Sequence, residues 1–119
     1  MRIALAQINP TVGDIQANSR KTLEFIARAK SAGATLVVFP ELSTIGYPPK
    51  DLLQKPSFVD DNLAAVQRIA EKVEGIEAVV GYAARNDNPV GRPLHNAVAV
   101  LAGGKVRSVH LKTLLPTYD

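Results

Sequence analysis

Two side chains in this sequence stand where acid–base chemistry is done. Glu41 directly follows the apolar run Val37-Val38-Phe39-Pro40. The segment from Thr35 to Phe39 is short, β-branched and aromatic, the pattern of a strand covered on both faces. Glu41 then falls at or just past the C-terminal end of a buried strand, the edge where sites gather in α/β sheets. A carboxylate beside an apolar strand is partly desolvated, which helps it act as a base; the competing reading is a helix-capping or solvent-facing glutamate. Lys112 is the second residue. It closes the last strand-like segment, on which period-two alternation puts Val106, Ser108, His110 and Lys112 on one face. A lysine at a strand end is ordinarily solvated, but one held beside a carboxylate can stabilise developing negative charge.

Tyr47 and Tyr118 lie in proline-rich loops just beyond these two charges. Each either walls a pocket with its hydroxyl or packs its own loop. His95 and His110 match no metal-ligand spacing, and His110 reads as a strand-surface residue or a support behind the site. Neither GxxxxGK[ST] nor GxGxxG occurs, so no loop of this chain is built to cradle a phosphate.

The elements that must position these residues are legible in the pattern. Arg2–Ile8 reads as a strand ended by Asn9-Pro10. Asp14–Ala32 reads as a helix with Leu23, Ile26, Ala27 and the stem of Lys30 on its apolar side and Gly33 as its C-terminal cap. A loop follows from Pro40 to Lys55. Ser57–Val73 reads as a second helix with Ser57 as N-cap, Asp60 and Asp61 in the first turn, and an apolar stripe of Leu63, Val66, Ile69, Ala70 and Val73. Ile76–Ala83 is a strand, Arg85–Pro93 a polar turn, and Leu94–Ala102 and Lys105–Lys112 are strands joined by Gly103-Gly104. The order β-α-β-α-β-β-β implies an α/β fold with a mixed sheet, right-handed crossovers and both helices on one face.

Composition narrows the function classes. The 119 residues suffice for one domain, residues 1–119, and 46% hydrophobic content places the chain among folded proteins. The net charge is +3, but the 14 Lys and Arg are spread along the chain and only Arg20-Lys21 are adjacent, which argues against nucleic-acid binding. The absence of cysteine excludes disulfides and cysteine-ligated zinc. No segment approaches about 18 consecutive apolar residues and the N-terminus lacks a cleavable leader pattern, so the chain reads as soluble and cytoplasmic.

The stretches "MRIALAQINPTVGDIQAN", "GATLVVFPELSTIGYPPKDLL", "HNAVAVLAGGKV" and "HLKTLLPTYD" together resemble the nitrilase, or carbon–nitrogen hydrolase, superfamily. Within it, "GYPPKDLL" points to the N-terminal glutaminase domain of glutamine-dependent NAD synthetases. The resemblance implies an α-β-β-α sandwich, of which this chain holds the N-terminal part, and a Glu-Lys-Cys triad. Glu41 falls on the general base and Lys112 on the lysine that stabilises the tetrahedral intermediate. Tyr118 and Tyr47 fall on glutamine-binding and pocket positions. The family's cysteine has no counterpart, because the family places it on a strand beyond residue 119. The expected function is glutamine amide hydrolysis supplying ammonia for ATP-dependent NAD biosynthesis, by a homo-oligomeric complete protein. No cofactor is expected in this chain; ATP, Mg and deamido-NAD belong to a further synthetase domain. The alternatives are a non-catalytic remnant or interaction module, and an amidase from another nitrilase branch.

Overall fold

The computed structural model describes residues 1–91 and 93–112. In chain order its elements are β1 (Ile3–Leu5), α1 (Ile15–Ser31), β2 (Leu36–Val38), α2 (Pro56–Glu71), β3 (Glu77–Arg85), β4 (Leu94–Ala102) and β5 (Lys105–Leu111), with a 3₁₀ turn at Lys50–Gln54 in the long loop. The five strands form one sheet in the order β1-β2-β3-β4-β5. β1, β2 and β3 run parallel, and β4 and β5 pair antiparallel beside them. The expected mixed α/β sheet is therefore present. The two crossover helices pack on each other and on the sheet, as two right-handed crossovers in the same direction require.

Helix α1 is capped as its sequence dictates. The Asp14 side chain accepts the Ala17 N–H at 3.0 Å, and Gly33, at φ +85°, ends the helix. There the N–H groups of Gly33 and Ala34 return to the carbonyls of Lys30 and Ala29, an arrangement a left-handed glycine permits. Its buried side is Ile15, Asn18, Thr22, Ile26 and Ala29. The expected stripe is rotated: Ala27 and Lys30 are exposed. Polar Asn18 and Thr22 take the inner positions because their hydrogen bonds are made inside the protein.

Helix α2 begins earlier than its pattern indicates. Pro56 is its first residue and Lys55 its N-cap, with no side-chain cap. Ser57 is thus inside the helix, because a proline's fixed φ suits the first helical position. Asp60 and Asp61 fall past the first turn, and Asp60 instead pairs with Arg85. From α2, Val66, Ile69 and Ala70, followed by Val73, pack on Val37, Phe39, Ala78, Val80, Tyr82, Ala97, Ala99 and Leu101 of the sheet.

The opposite face of the sheet is covered by none of the described residues. Alternation places Ile3, Leu5, Leu36, Val38, Val79, Val98 and Val100 there. Ile3 and Leu5 are 52% and 72% exposed. β2 is consequently covered on one face rather than both: Val37 is fully buried and its two neighbours only partly.

A bulge in the β4–β5 ladder changes one further expectation. Val100 pairs with Ser108 and Leu101 with Val106, so Arg107 is the extra residue. Val106 therefore turns to the helix-side core, while Ser108, His110 and Lys112 share the open face; the four do not lie on one side. The bulge also fixes which residue of β5 opposes which residue of β4. Deleting Arg107 is expected to regularise the ladder and leave Lys112 opposite Asn96, whereas deleting Val109 slips Lys112 by one residue. Interstrand amide contacts measured by NMR in the two variants check this, and loss of the Asn96–Lys112 pairing in the Arg107 deletion would sink it.

Candidate active site

The site begins with an inequality of strand lengths. Pairing of β2 with β3 closes at the Phe39 N–H, which donates to the Val79 carbonyl at 2.9 Å. Pro40 has no N–H to continue the ladder, yet β3 runs on to Arg85. Its backbone edge at Gly81 and Ala83 must find other partners.

Side chains supply them. The Ser43 hydroxyl accepts from the Gly81 N–H at 3.2 Å and donates to the Gly81 carbonyl at 3.3 Å. Two residues on, the Asn62 amide does the same for Ala83, donating to its carbonyl at 2.7 Å and accepting its N–H at 3.3 Å. Asn62 Oδ1 also accepts from the Thr44 hydroxyl at 2.8 Å. Asn18 Nδ2 donates to the carbonyls of Thr44 and Thr11, and Asn18 Oδ1 accepts the Thr11 N–H. Asn18, Ser43, Thr44 and Asn62 are all at most 1% exposed. The turn after β2 is thus stitched to the exposed edge of β3 by buried groups, each satisfied.

This stitching lays the turn across β3 at Gly81. A Cβ there would stand 2.6 Å from both the Pro40 carbonyl oxygen and the Leu42 nitrogen. Leu42 itself has φ +49°, a left-handed conformation that costs a branched residue about 1–2 kcal/mol and that its surroundings hold in place. The turn carries Glu41 from the end of β2, over β3, to the start of β4 and the end of β5. Because β5 runs parallel to β2, its C-terminal end lies on the same sheet edge.

There Lys112 Nζ donates to Glu41 Oε1 at 3.1 Å, and Asn96 Nδ2 donates to the same oxygen. The Lys112 backbone N–H donates to the Asn96 carbonyl at 2.9 Å. The Glu41 and Lys112 side chains are 42% and 39% exposed. Glu41, Asn96, Ala97, Val98, His110, Leu111 and Lys112 line a cavity of about 360 Å³. His110 Nε2 lies 3.1 Å from Ser108 Oγ. A carboxylate and an ammonium beside a small cavity offer a proton acceptor and a cation for a developing oxyanion.

Glu41 and Lys112 are therefore brought together. Tyr47 is 64% exposed in the loop beyond Gly46 and is not among the residues lining the cavity. Tyr118 lies outside the described residues. A larger cleft of about 430 Å³ between α1 and α2, bordered by Arg20, Arg68 and Lys72, contains none of these residues. Sequence reasoning missed Asn96, Gly81 and the set Asn18, Ser43, Thr44 and Asn62. A glycine inside "VVGYAA" and an asparagine opening "NAVAVLA" were the available signals, since a glycine within a strand marks close backbone approach.

Residues 2–119 match the sequence profile of the carbon–nitrogen hydrolases. The chain belongs to the carbon–nitrogen hydrolase family. The glutamine-dependent NAD(+) synthetase of Thermotoga maritima is 36% identical over 120 residues, which cover 99% of this chain and 20% of that protein. The solved glutamine-dependent NAD+ synthetase of Acinetobacter baumannii, in complex with ADP, superposes with a TM-score of 0.87 at 37% identity, over 98% of this chain and 22% of its own. The chain thus spans about a fifth of the length of these relatives. A point mutant of an amidase from Nesterenkonia sp. AN1, captured with acrylamide added at its active-site cysteine, superposes with a TM-score of 0.78 at 28% identity over 98% of this chain and 45% of its own. The mixed sheet of this chain thus has the fold of its family's solved members.

Two substitutions test how the site is held. Gly81→Ala overpacks the Pro40–Leu42 crossing and is expected to destabilise the chain by about 1–3 kcal/mol while displacing Glu41 from Lys112. Asn62→Ala leaves the Thr44 hydroxyl and the Ala83 backbone short of partners and is expected to cost about 2–4 kcal/mol. Urea unfolding measures both, and a wild-type midpoint for either variant would contradict the argument.

Proposed function

We propose that this chain supplies the base and the cation of a glutamine amide hydrolase, which in the complete protein provides ammonia for ATP-dependent NAD synthesis. The observation that carries the reading is the Glu41–Lys112 pair, 3.1 Å apart at the wall of a cavity, in a chain similar to glutamine-dependent NAD synthetases over nearly all its length. In this mechanism Glu41 takes the proton of a thiol: the S–H bond breaks, an O–H bond forms, and the electron pair stays on sulfur. The thiolate attacks the amide carbonyl, and Lys112 stabilises the oxyanion that builds there. The proton then passes to the departing amine, ammonia leaves, and water hydrolyses the thioester.

The chain holds no cysteine, so the nucleophile must come from elsewhere in the complete protein, and the 119 residues alone are inactive. ATP, Mg and deamido-NAD would bind a separate synthetase domain, the setting cytoplasmic and the assembly homo-oligomeric. No helix among the described residues is long and apolar enough to cross a membrane. Tyr118 and Tyr47 are assigned to the glutamine pocket. For Tyr47, exposed in the present structure, that role requires the loop to be covered when the rest of the domain is in place.

A second reading, a non-catalytic interaction module, draws on the uncovered face with Ile3 and Leu5, since a large apolar patch favours association. Molar mass in solution separates the two readings: a stable monomer of 12.7 kDa counts against the module. An amidase of another branch is decided by a substrate screen of the complete gene product.

Purified 119-residue chain is expected to release no ammonia from glutamine. Release that disappears in Glu41→Ala would overturn the assignment of the nucleophile to another segment. In the complete gene product, Glu41→Ala and Lys112→Ala are each expected to lower kcat by about 10²–10⁴-fold, measured by ammonia release.

A further inference from the structure

The two donors to Glu41 converge on one oxygen. Lys112 Nζ and Asn96 Nδ2 both bind Oε1, and among the described residues Oε2 accepts from none. From this asymmetry we infer that Asn96 is a positioning residue that divides the Glu41 carboxylate into an anchored oxygen, Oε1, and a working oxygen, Oε2. The inference rests on the reading of Glu41 as the base.

An ammonium alone would not make this division. It is a compact charge on a flexible stem and binds either oxygen of a carboxylate with little directional preference. The Asn96 amide is a directional donor on a side chain with two rotatable bonds, mounted on a strand paired on both sides. It fixes the rotation of the carboxylate about its terminal bond. Being neutral, it does so without adding to the local charge.

Asn96 acts on the other partner as well. Its carbonyl accepts the Lys112 N–H at 2.9 Å, so the residue that orients the Glu41 side chain also holds the Lys112 backbone. One ammonium hydrogen is engaged with Oε1, leaving Lys112 two further donors by valence. Base and cation are thus referenced to a single point on β4. Their spacing does not depend on the attraction between two exposed charges, which is weak and screened by salt.

The test separates orientation from bulk structure. In the complete gene product, Asn96→Ala is expected to lower kcat by about 10–100-fold with KM within twofold, since a misplacement of about 1 Å is worth that much. Asn96→Asp keeps the shape but replaces the donor with a second carboxylate. It is expected to move the acid limb of the kcat–pH profile to higher pH, because a like charge makes Glu41 harder to deprotonate. A purely structural role for Asn96 would not give the Asn96→Ala split of lowered kcat at unchanged KM, and that split carries the distinction. If both variants keep the wild-type kcat and acid limb while Glu41→Ala is inactive, the positioning role falls and the base reading stands. If Glu41→Ala keeps full glutaminase activity, the base reading itself falls. A direct measurement uses the 119-residue chain: the Asn96 side-chain amide signals in ¹⁵N NMR should follow the ionisation of Glu41 and lose that pH dependence in Glu41→Gln. Identical amide titrations in the two proteins would overturn the inference.

Discussion

The site depends on a strand that outruns its neighbour. Beyond Val79, β3 has a backbone edge that β2 no longer pairs with, and burial makes unpaired peptide groups costly. The Ser43 hydroxyl, the Thr44 backbone N–H and the Asn62 amide meet that demand, and in doing so they dictate the path of the turn that holds Glu41. The position of the carboxylate follows from a hydrogen-bonding requirement of the sheet, met by short polar side chains with little conformational freedom to lose.

From that constraint the rest follows in order. The turn must cross β3, so the residue beneath it has no side chain: Gly81. The crossing delivers Glu41 to the open face of β4 and β5, where the register of the hairpin sets Lys112 opposite Asn96. That register counts residues from the two-glycine link through the bulge at Arg107. Two remote devices, a side-chain edge and a bulged hairpin, therefore set one distance of 3.1 Å.

Much of this could be read from the residues and some could not. The element order, the β4–β5 hairpin and the placing of Glu41 and Lys112 at strand ends follow from periodicity and from turn residues, which act locally. The family likeness rests on Phe39-Pro40-Glu41 and the Lys112 block, and the structural likeness agrees with it. The inner side of α1 is not legible from its residues, because Asn18 and Thr22 are surface types: Asn18 is buried by its bonds to Thr11 and Thr44, and Thr22 by a bond back to the Asn18 carbonyl. Ser57 is of a type that favours a cap, but Pro56 holds the first helical position and puts Ser57 inside the helix. The alternation of β5 failed at the bulge, which depends on pairing with β4 rather than on any residue of its own. Tyr118 lies outside the described residues, so its role rests on resemblance alone.

The separation of the two charges along the chain has a consequence for how the protein comes to be. Glu41 and Lys112 are 71 residues apart in sequence, and the helices and first three strands can assemble from shorter-range contacts. Closing so long a loop is entropically late. Fixing the Glu41 turn to β3 requires only the chain up to Arg85, whereas pairing with Lys112 requires the whole β4–β5 hairpin. The pair can form only once the β4–β5 hairpin has docked. The ion pair thus reports the docking of β5, and a chain halted before β5 would hold the carboxylate with no Lys112 beside it.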